Sequence, residues 1–203
     1  MSSDFDARLP FREQRIAIFA SGSGTNAENV IQYFAKHASI YVALIVCNKS
    51  GAGVIQVAER YGVACEIVQL KSEDADELLL QLLRRYRIDM VLLAGFLALV
   101  PSRVISAFPH RIINLHPALL PKFGGKGMYG KRVHQSVLAA GESETGITIH
   151  EVDEIYDHGA IVFQARVPVT AQDTPETIEE KVRELEYRHL PRVVEKLLLT
   201  ERN

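Results

Sequence analysis

The chain has 203 residues, a length that predicts a single domain large enough to bury a sizeable core. Hydrophobic residues make up 47% of it and charged residues 24%, which excludes a disordered chain. A formal net charge of -2 gives no general attraction to nucleic acid or acidic membranes, so any bound anion must be held by local geometry.

The chain begins with a polar tail, residues 1–14, that we expect to precede one folded domain at 15–203. The tail MSSDFDARLPFREQ lacks the apolar region of a signal peptide, and later apolar runs are shorter than the ~20 residues of a membrane helix. Both features favour a cytoplasmic protein. RIAIFA (15–20) then predicts a buried strand, SGSGTN a glycine turn, and NAENVIQYFAKH a helix.

This pattern of strand, turn and helix recurs. Further strands are predicted at YVALIVCN (41–48), ACEIVQL (64–70), IDMVLLAG (88–95) and RIINLH (111–116), with helices between them, including a short one near residues 101–107. Continuous apolar strands between amphipathic helices indicate an α/β fold with a Rossmann-like open twisted sheet, parallel in this part and covered by helices on both faces. Cys47 and Cys65 lack metal-ligand spacing and are interpreted as reduced core residues.

The last third of the chain predicts a different arrangement. After PALLPKFGGKGMYG and a helix at 131–140, the runs TGITIHEVD and GAIVFQARVPV are separated only by the polar EIYDH. They leave little room for a crossover helix, which favours a hairpin or an antiparallel extension of the sheet. DTPETIEEKVRELEYRHLPRVVEKLLL then predicts a long final helix, with Thr174 as its N-cap and Pro175 at its first position.

The glycine turn after the first strand predicts an anion site. Gly22, Gly24 and Ala27 fit the dinucleotide fingerprint G-x-G-x-x-A. The second strand ends in IVCNKSGAG without the acidic residue that holds the ribose of NAD(P), and no G-K-[ST] follows, so both a nicotinamide cofactor and a Walker loop are disfavoured. We predict a single phosphate bound by the N–H groups around Gly24, Thr25 and Asn26. The alternative is a tight turn only, with Asn26 as an N-cap.

The segment NLHPALLP ends the fifth strand. Residues two apart on a strand face the same side, so Asn114 and His116 point to one place while Leu115 enters the core. Ligands of open α/β sheets bind at the carboxyl ends of strands, where this pair lies. We predict an oxyanion-binding pair. The alternative is a hydrogen-bonded histidine at a strand end beside an unrelated asparagine.

Asp157 lies in the loop EIYDHG between the last two predicted strands. If this hairpin folds beside the fifth strand, Asp157 approaches His116 and stabilises its protonated form. The alternative is an ordinary turn residue. A metal site is not expected, because the seven histidines show neither H-x-x-x-H nor H-E-x-x-H spacing and no cysteine pair completes a ligand set.

Taken together, SGSGTN, NLHPALLP and EIYDHGAIVFQ resemble the phosphoribosylglycinamide formyltransferases, folate-dependent enzymes of purine synthesis. The resemblance runs from about residue 15 to the end of the last helix, and N-x-H-P-x-L-L-P is its most specific element. It implies 10-formyltetrahydrofolate as co-substrate and glycinamide ribonucleotide as formyl acceptor. It also implies a nucleotide-binding half at 15–113 and a folate-binding and catalytic half at 114–203. We expect no metal, no nucleic acid, no membrane, and a monomer or weak homodimer.

The resemblance assigns roles to residues of this chain. The catalytic positions of the family fall on Asn114, His116 and Asp157. Its nucleotide contacts fall on Gly24, Thr25, Asn26, Pro117 and Glu186. Its folate contacts fall on Phe96, Leu97, Ala98, Leu99, Val100, Asn114, Asp153 and Glu154, and His150 matches a histidine that lines the family's site.

Two departures from the family pattern limit this assignment. Leu97 and Ala98 stand where many relatives carry Met-Arg. The loop KFGGKGMYGKRVH is longer than in several relatives, so no role is assigned to Lys126 or Lys131.

The expected reaction is a direct attack of the substrate amine on the formyl carbon, without a nucleophilic side chain. One alternative is a formyltetrahydrofolate hydrolase, which is disfavoured because only about 14 residues precede the first strand. Methionyl-tRNA formyltransferase is disfavoured by the net charge and by the absence of a further C-terminal domain. A non-catalytic nucleotide- or NAD(P)-binding module is the alternative from another class.

Overall fold

The computed structural model describes residues 12–72 and 74–200, so residues 1–11 of the expected polar tail lie outside the described residues. Seven strands form one sheet: β1 Gln14–Ala20, β2 Ile40–Cys47, β3 Ala64–Ile67, β4 Met90–Leu93, β5 Ile112–His116, β6 Glu144–Glu151 and β7 Ile161–Pro168. Six helices accompany them: α1 Thr25–Phe34, α2 Val54–Tyr61, α3 Ala75–Arg85, α4 Ser102–Ala107, α5 Lys131–Ala139 and α6 Pro175–Thr200.

The sheet has the order β3-β2-β1-β4-β5-β6-β7. β1 to β5 pair in parallel, whereas β6 runs antiparallel to both β5 and β7. The predicted fold is therefore confirmed, including the antiparallel extension. The antiparallel pairing of β6 with β7 has a simple cause, since only the turn and loop residues 152–160 connect these two strands and cannot form a crossover.

Both faces of the sheet are covered, as the continuous apolar strands predict. On β1, Ile16 and Ile18 belong to the core beneath α1, α2 and α6, whereas Ala17 and Phe19 belong to the core beneath α3 and α4. All four side chains are fully buried. A strand with this burial pattern cannot alternate between apolar and polar residues.

The long helix α6 begins as predicted. The backbone N–H of Thr177 donates to Oγ1 of Thr174 at 3.3 Å, and the N–H of Thr174 donates to Oγ1 of Thr177 at 2.9 Å. This reciprocal pair caps the helix at the residue before Pro175. The helix then packs against α1, α5, β6 and β7, so its residues reach the end of the sheet where β1 and β5 terminate.

Some predicted strand ends are too long. β4 ends at Leu93 rather than at residue 95, because Gly95 has a φ of 72° and turns the chain away from the sheet. β3 likewise ends at Ile67 rather than at residue 70. Cys47 and Cys65 are both free, as expected, although Cys65 is only half-buried. Among the described helices, none has the length and apolar character needed to cross a bilayer.

Candidate active site

A cavity of about 590 Å³ opens at the carboxyl ends of β1, β4 and β5, and we call it the active cavity. Its walls come from the glycine turn, the segment 95–100, the end of β5, the loops 125–130 and 152–157, and α6. A switch point of this sheet lies between β1 and β4, where connections leave in opposite directions. Open α/β sheets bind ligands at such a point.

The end of β5 brings the predicted pair to this cavity. Asn114 and His116 both line it, while Leu115 is buried in the core on one face of the sheet. The side-chain nitrogen Nδ2 of Asn114 lies 3.2 Å from Oδ1 of Asp157 and 3.0 Å from Nε2 of His150. The hairpin thus places Asp157 beside the strand end, an arrangement that the sequence predicted only conditionally.

His116 is held from both sides of its ring. Its Nε2 lies 2.8 Å from the carbonyl oxygen of Phe123, and its Nδ1 lies 3.4 Å from Oδ2 of Asp157. A carbonyl oxygen only accepts hydrogen bonds, so Nε2 carries a proton. Nδ1 faces the Asp157 carboxylate, and the ring between these two partners is 3% exposed.

Asp157 is an ionised carboxylate in a constrained backbone conformation. Burial by itself raises the pKa of Asp157, but hydrogen bonds from His116 and from the N–H of Gly125 lower it, and the net pKa is well below its usual range. Its φ of 55° is in the left-handed region, which aspartate tolerates better than most residues. The backbone N–H of Gly125 donates to Oδ2 at 2.9 Å.

His150 fixes the orientation of Asn114. Nδ1 of His150 lies 2.7 Å from the carbonyl oxygen of Glu151, so this nitrogen carries a proton and donates to that oxygen. Nε2 is then an acceptor for the amide of Asn114. The ring is 2% exposed and lines the cavity, as the resemblance implied.

The glycine turn forms the opposite wall of the cavity. Gly24 precedes α1 with a φ of 82°, and a Cβ atom there would lie 2.7 Å from Cα of Val54, so the position requires glycine. Thr25 and Asn26 line the cavity, whereas Gly24 itself does not. Asn26 is not an N-cap, because no side chain caps α1 and the residue lies within the helix.

Asn26 instead connects the turn to α6. Its Nδ2 donates to Oε2 of Glu186 at 2.8 Å, while its Oδ1 is buried and has no partner in the part of the chain that the structure describes. Burial raises the pKa of the Glu186 carboxyl, and the hydrogen bond from Asn26 offsets part of this effect. An unpaired acceptor and a half-buried carboxylate together suit a ligand that carries hydroxyl groups.

The predicted folate residues lie at the other end of the cavity. The cavity is lined by Phe96, Leu97, Ala98, Leu99, Val100, Asp153 and Pro117. Glu154 does not line it, and its side chain is exposed. The ring of Phe96 packs edge-on against Phe19 with centroids 5.3 Å apart, and the N–H of Leu97 donates to Oγ of Ser21 at 3.2 Å. These contacts fix the backbone of the segment.

Further residues line the cavity that no sequence motif indicated. Glu179 and Arg183 lie on the same face of α6 as Glu186, a helical spacing that could have identified them. His134 of α5 is 3% exposed, its Nδ1 has no partner among the described residues, and burial lowers its pKa. Lys126 also lines the cavity, whereas Lys131 pairs with Glu176 instead.

The described residues contain no group of three or more side chains that could hold a metal ion. The site itself provides hydrogen-bond donors and the contact of His116 with Asp157. An amide donor, an imidazole and a carboxylate converge on one point. Such a set can stabilise a negatively charged oxygen and move a proton.

Comparisons with known proteins agree with this geometry. The formyl transferase family model matches residues 14–194. A phosphoribosylglycinamide formyltransferase of Bacillus subtilis (strain 168) is 33% identical over 190 residues, which cover 91% of this chain and 95% of the relative. A chloroplastic phosphoribosylglycinamide formyltransferase of Arabidopsis thaliana is 42% identical over 190 residues and 90% of this chain, but the chain spans only 65% of that relative's length.

A solved structure shows the same fold. The crystal structure of glycinamide ribonucleotide transformylase 1 from Geobacillus kaustophilus superposes with a TM-score of 0.83 at 35% identity, over 92% of this chain and 100% of the other. The match of the family model to most of the chain, together with these relatives, decides the classification. The chain belongs to the formyl transferase family.

Proposed function

We propose that this chain transfers the formyl group of 10-formyltetrahydrofolate to the amine of glycinamide ribonucleotide, a reaction of purine (IMP) synthesis. The observation that carries the proposal is the contact of His116 with Asp157 in a cavity that also reaches the glycine turn. The names of the bacterial and plant relatives support the same reaction.

The proposed reaction begins with attack of the substrate amine on the formyl carbon. A C–N bond forms, and the formyl oxygen acquires a negative charge. Asn114 donates to this oxygen, and protonated His116 also donates to it when one ring N–H turns from its acceptor in the ligand-free site, the Phe123 carbonyl or Asp157. A donor of this kind is worth ~2.7–4 kcal/mol. Cleavage of the bond to the folate nitrogen then releases tetrahydrofolate, without a covalent enzyme intermediate.

Asp157 has two tasks in this scheme. It keeps His116 protonated, and directly or through an ordered water it helps to move a proton from the attacking amine to the departing folate nitrogen. Both Nδ2 contacts of Asn114 are made to Asp157 and His150. The oxyanion therefore displaces one of these two acceptors, Nε2 of His150 or Oδ1 of Asp157, as it forms.

The nucleotide would lie along the wall formed by α1 and α6. The N–H groups of Thr25 and Asn26, in the first turn of α1, suit its phosphate, because Gly24 lets the backbone approach closely. Glu186 and the free Oδ1 of Asn26 are acceptors for its ribose hydroxyls. Pro117 lines the cavity next to His116, where the amine must reach the formyl carbon.

The folate would occupy the apolar end of the cavity. The backbone of residues 96–100 and of the loop 153–157 would contact its pterin ring. We further propose a cytoplasmic location and a monomer or weak homodimer, which fractionation of cells and size-exclusion chromatography test directly.

Release of tetrahydrofolate distinguishes this function from its nearest rival. In a formyltetrahydrofolate hydrolase, water replaces the amine and release does not need the nucleotide. The wall built from Asn26 and Glu186 favours a nucleotide acceptor. We expect release from 10-formyltetrahydrofolate only when glycinamide ribonucleotide is present, and release at the same rate without it would contradict the proposal.

A further inference from the structure

Residues 123–125, in the loop after β5, contact both His116 and Asp157 through main-chain atoms, and we call this segment the backbone clamp. The carbonyl oxygen of Phe123 lies 2.8 Å from Nε2 of His116. The N–H of Gly125 donates to Oδ2 of Asp157 at 2.9 Å. One short segment therefore supplies an acceptor to the imidazole and a donor to the carboxylate.

These two contacts are the shortest polar contacts that either side chain makes with a residue that the structure describes. Nδ1 of His116 lies 3.4 Å from Oδ2 of Asp157, which is long for a hydrogen bond between charged groups. Nδ2 of Asn114 and Nε2 of His150 lie 3.2 Å and 3.6 Å from Oδ1 of the same carboxylate. The imidazole and the carboxylate are thus held more closely by the backbone clamp than by each other.

The backbone clamp is in a strained conformation. Phe123 has a φ of 57° and Gly125 a φ of 97°, both in the left-handed region. A bulky residue seldom adopts such an angle, and strain of this kind concentrates at functional sites. The side chain of Phe123 packs against the core, which stabilises the strained residue. At Gly125 only glycine adopts the angle without strain.

Gly124 brings the backbone clamp very close to Asp157. A Cβ atom at Gly124 would lie 3.1 Å from Cβ of Asp157 and 2.5 Å from Cδ2 of Leu120. The end of the Leu120 side chain can move aside, whereas Asp157 is held by its own contacts. A displacement of the clamp therefore displaces the carboxylate as well.

We propose that the backbone clamp positions His116 and Asp157 for formyl transfer, with Gly125 as the residue on which this positioning depends. The inference rests on the function proposed above. The Phe123 carbonyl fixes a proton on Nε2 of His116 and turns Nδ1 toward Asp157. The N–H of Gly125 donates to Oδ2, and such a bond favours the ionised carboxylate.

The test replaces Gly125 by alanine, which keeps the N–H but disfavours the positive φ. The kcat should fall about 10- to 100-fold, because a displacement of about 1 Å at catalytic groups is enough for such a loss. The KM values for the nucleotide and for 10-formyltetrahydrofolate should stay within about threefold of wild type, since a positioning residue acts on turnover. Gly125→Asn should recover part of the kcat, because asparagine adopts a positive φ more readily than alanine.

Gly141→Ala is the matched control. Gly141 has a φ of 66° and does not line the active cavity. At Gly141 and at Gly125 alike, an added Cβ atom meets open space, so both alanine variants introduce backbone strain without a clash. The kcat of Gly141→Ala should stay within about twofold of wild type, because strain at an exposed helix end does not reach the site.

A spectroscopic measurement reports on the backbone clamp independently of turnover. A buried imidazole N–H that donates to a carbonyl exchanges slowly with water. The Nε2–H of His116 should therefore give a signal in a proton–nitrogen NMR correlation spectrum of the wild-type chain. The signal should be lost in Gly125→Ala, retained in Gly141→Ala and partly restored in Gly125→Asn.

Several results would overturn the proposal. A wild-type kcat in Gly125→Ala, an equal loss in Gly141→Ala, or a change confined to the KM values contradicts the clamp. If Gly125→Ala does not fold, Gly125→Asn decides, because a wild-type kcat in a variant that has lost the His116 signal contradicts the clamp. A wild-type chain that shows this signal but transfers no formyl group contradicts the proposed function, whereas transfer without the signal contradicts the clamp alone.

Discussion

At the scale of single residues, the site depends on charges that are paired in a nearly dry environment. Asp157 is about 10% exposed and His116 about 3%, so the buried Asp157 carboxylate requires a partner such as this ring. The sequence could predict that Asn114 and His116 face the same side of the strand, because this follows from strand geometry alone. The partner Asp157 lies 43 residues from Asn114, and only the pairing of β5 with β6 places it there. The sequence could therefore predict the position of the pair but not its contacts.

Asp157→Asn should lower kcat by at least a hundredfold, because the amide cannot hold His116 in its protonated form. The KM for the nucleotide should change little, since Asp157 does not line the wall built from Asn26 and Glu186. Steady-state kinetics measure both quantities. Glu154→Gln is the matched control, with an exposed carboxylate on the same loop that does not line the cavity, and near-normal turnover of the Asp157 variant would refute its role.

Glu186→Gln should stabilise the ligand-free protein at pH 7. Burial raises the pKa of this carboxyl in the folded state, so the folded protein binds the proton more tightly than the unfolded chain does. Protonation of Glu186 therefore contributes stability at acidic pH, and this contribution is lost as the pH rises through the folded pKa. The stabilisation by glutamine should accordingly vanish near pH 4. Denaturant unfolding at several pH values measures it, with the exposed Glu184→Gln as control.

The same substitution separates binding from stability. Glutamine keeps an oxygen that accepts from Asn26, but it accepts ribose hydroxyls less strongly because it is uncharged. The KM for the nucleotide should rise more than kcat falls. A variant that is more stable and has an unchanged KM for the nucleotide would show that Glu186 is not a ligand contact.

At the scale of elements, a buried hydroxyl holds the segment after β5. Oγ1 of Thr148, on β6, accepts from the N–H of Leu120 at 3.0 Å and from Nε2 of Gln164 at 2.9 Å, and it donates to the carbonyl of Ala118 at 2.6 Å. Thr148 pairs directly with His116 in the sheet. The network thus fixes the loop whose Phe123 carbonyl holds the histidine ring. No local pattern in the sequence reveals it, because it joins three separate segments.

Thr148→Val should lower the free energy of unfolding by about 1–3 kcal/mol, because the N–H of Leu120 and the amide of Gln164 lose a buried acceptor. Thr145→Val is the matched control. Thr145 is also buried on β6, but its Oγ1 has no partner among the described residues, so valine there should be neutral or stabilising. Equal losses in the two variants would contradict the network.

At the scale of the whole molecule, the cavity is assembled from both halves of the chain. Asn26 and Glu186 are 160 residues apart and meet at 2.8 Å. The sequence predicted the parallel sheet, its antiparallel extension and the final helix, because hydrophobic periodicity is local. It did not identify Arg183 or His134, since their place in the cavity depends on how α5 and α6 pack against the end of the sheet.

A ligand that bridges α1 and α6 should therefore stabilise the entire fold. At a concentration of 100 times its Kd, a ligand that binds only the folded state adds about 2.7 kcal/mol, which for a domain of this size raises Tm by about 5–10 °C. We expect this rise with glycinamide ribonucleotide and none with NADP, because β2 ends without an acidic residue for a dinucleotide ribose. Asn26→Ala should abolish most of the rise, whereas Asn29→Ala, elsewhere on α1, should preserve it. A rise with NADP but not with the nucleotide would favour a dinucleotide-binding module over a formyltransferase.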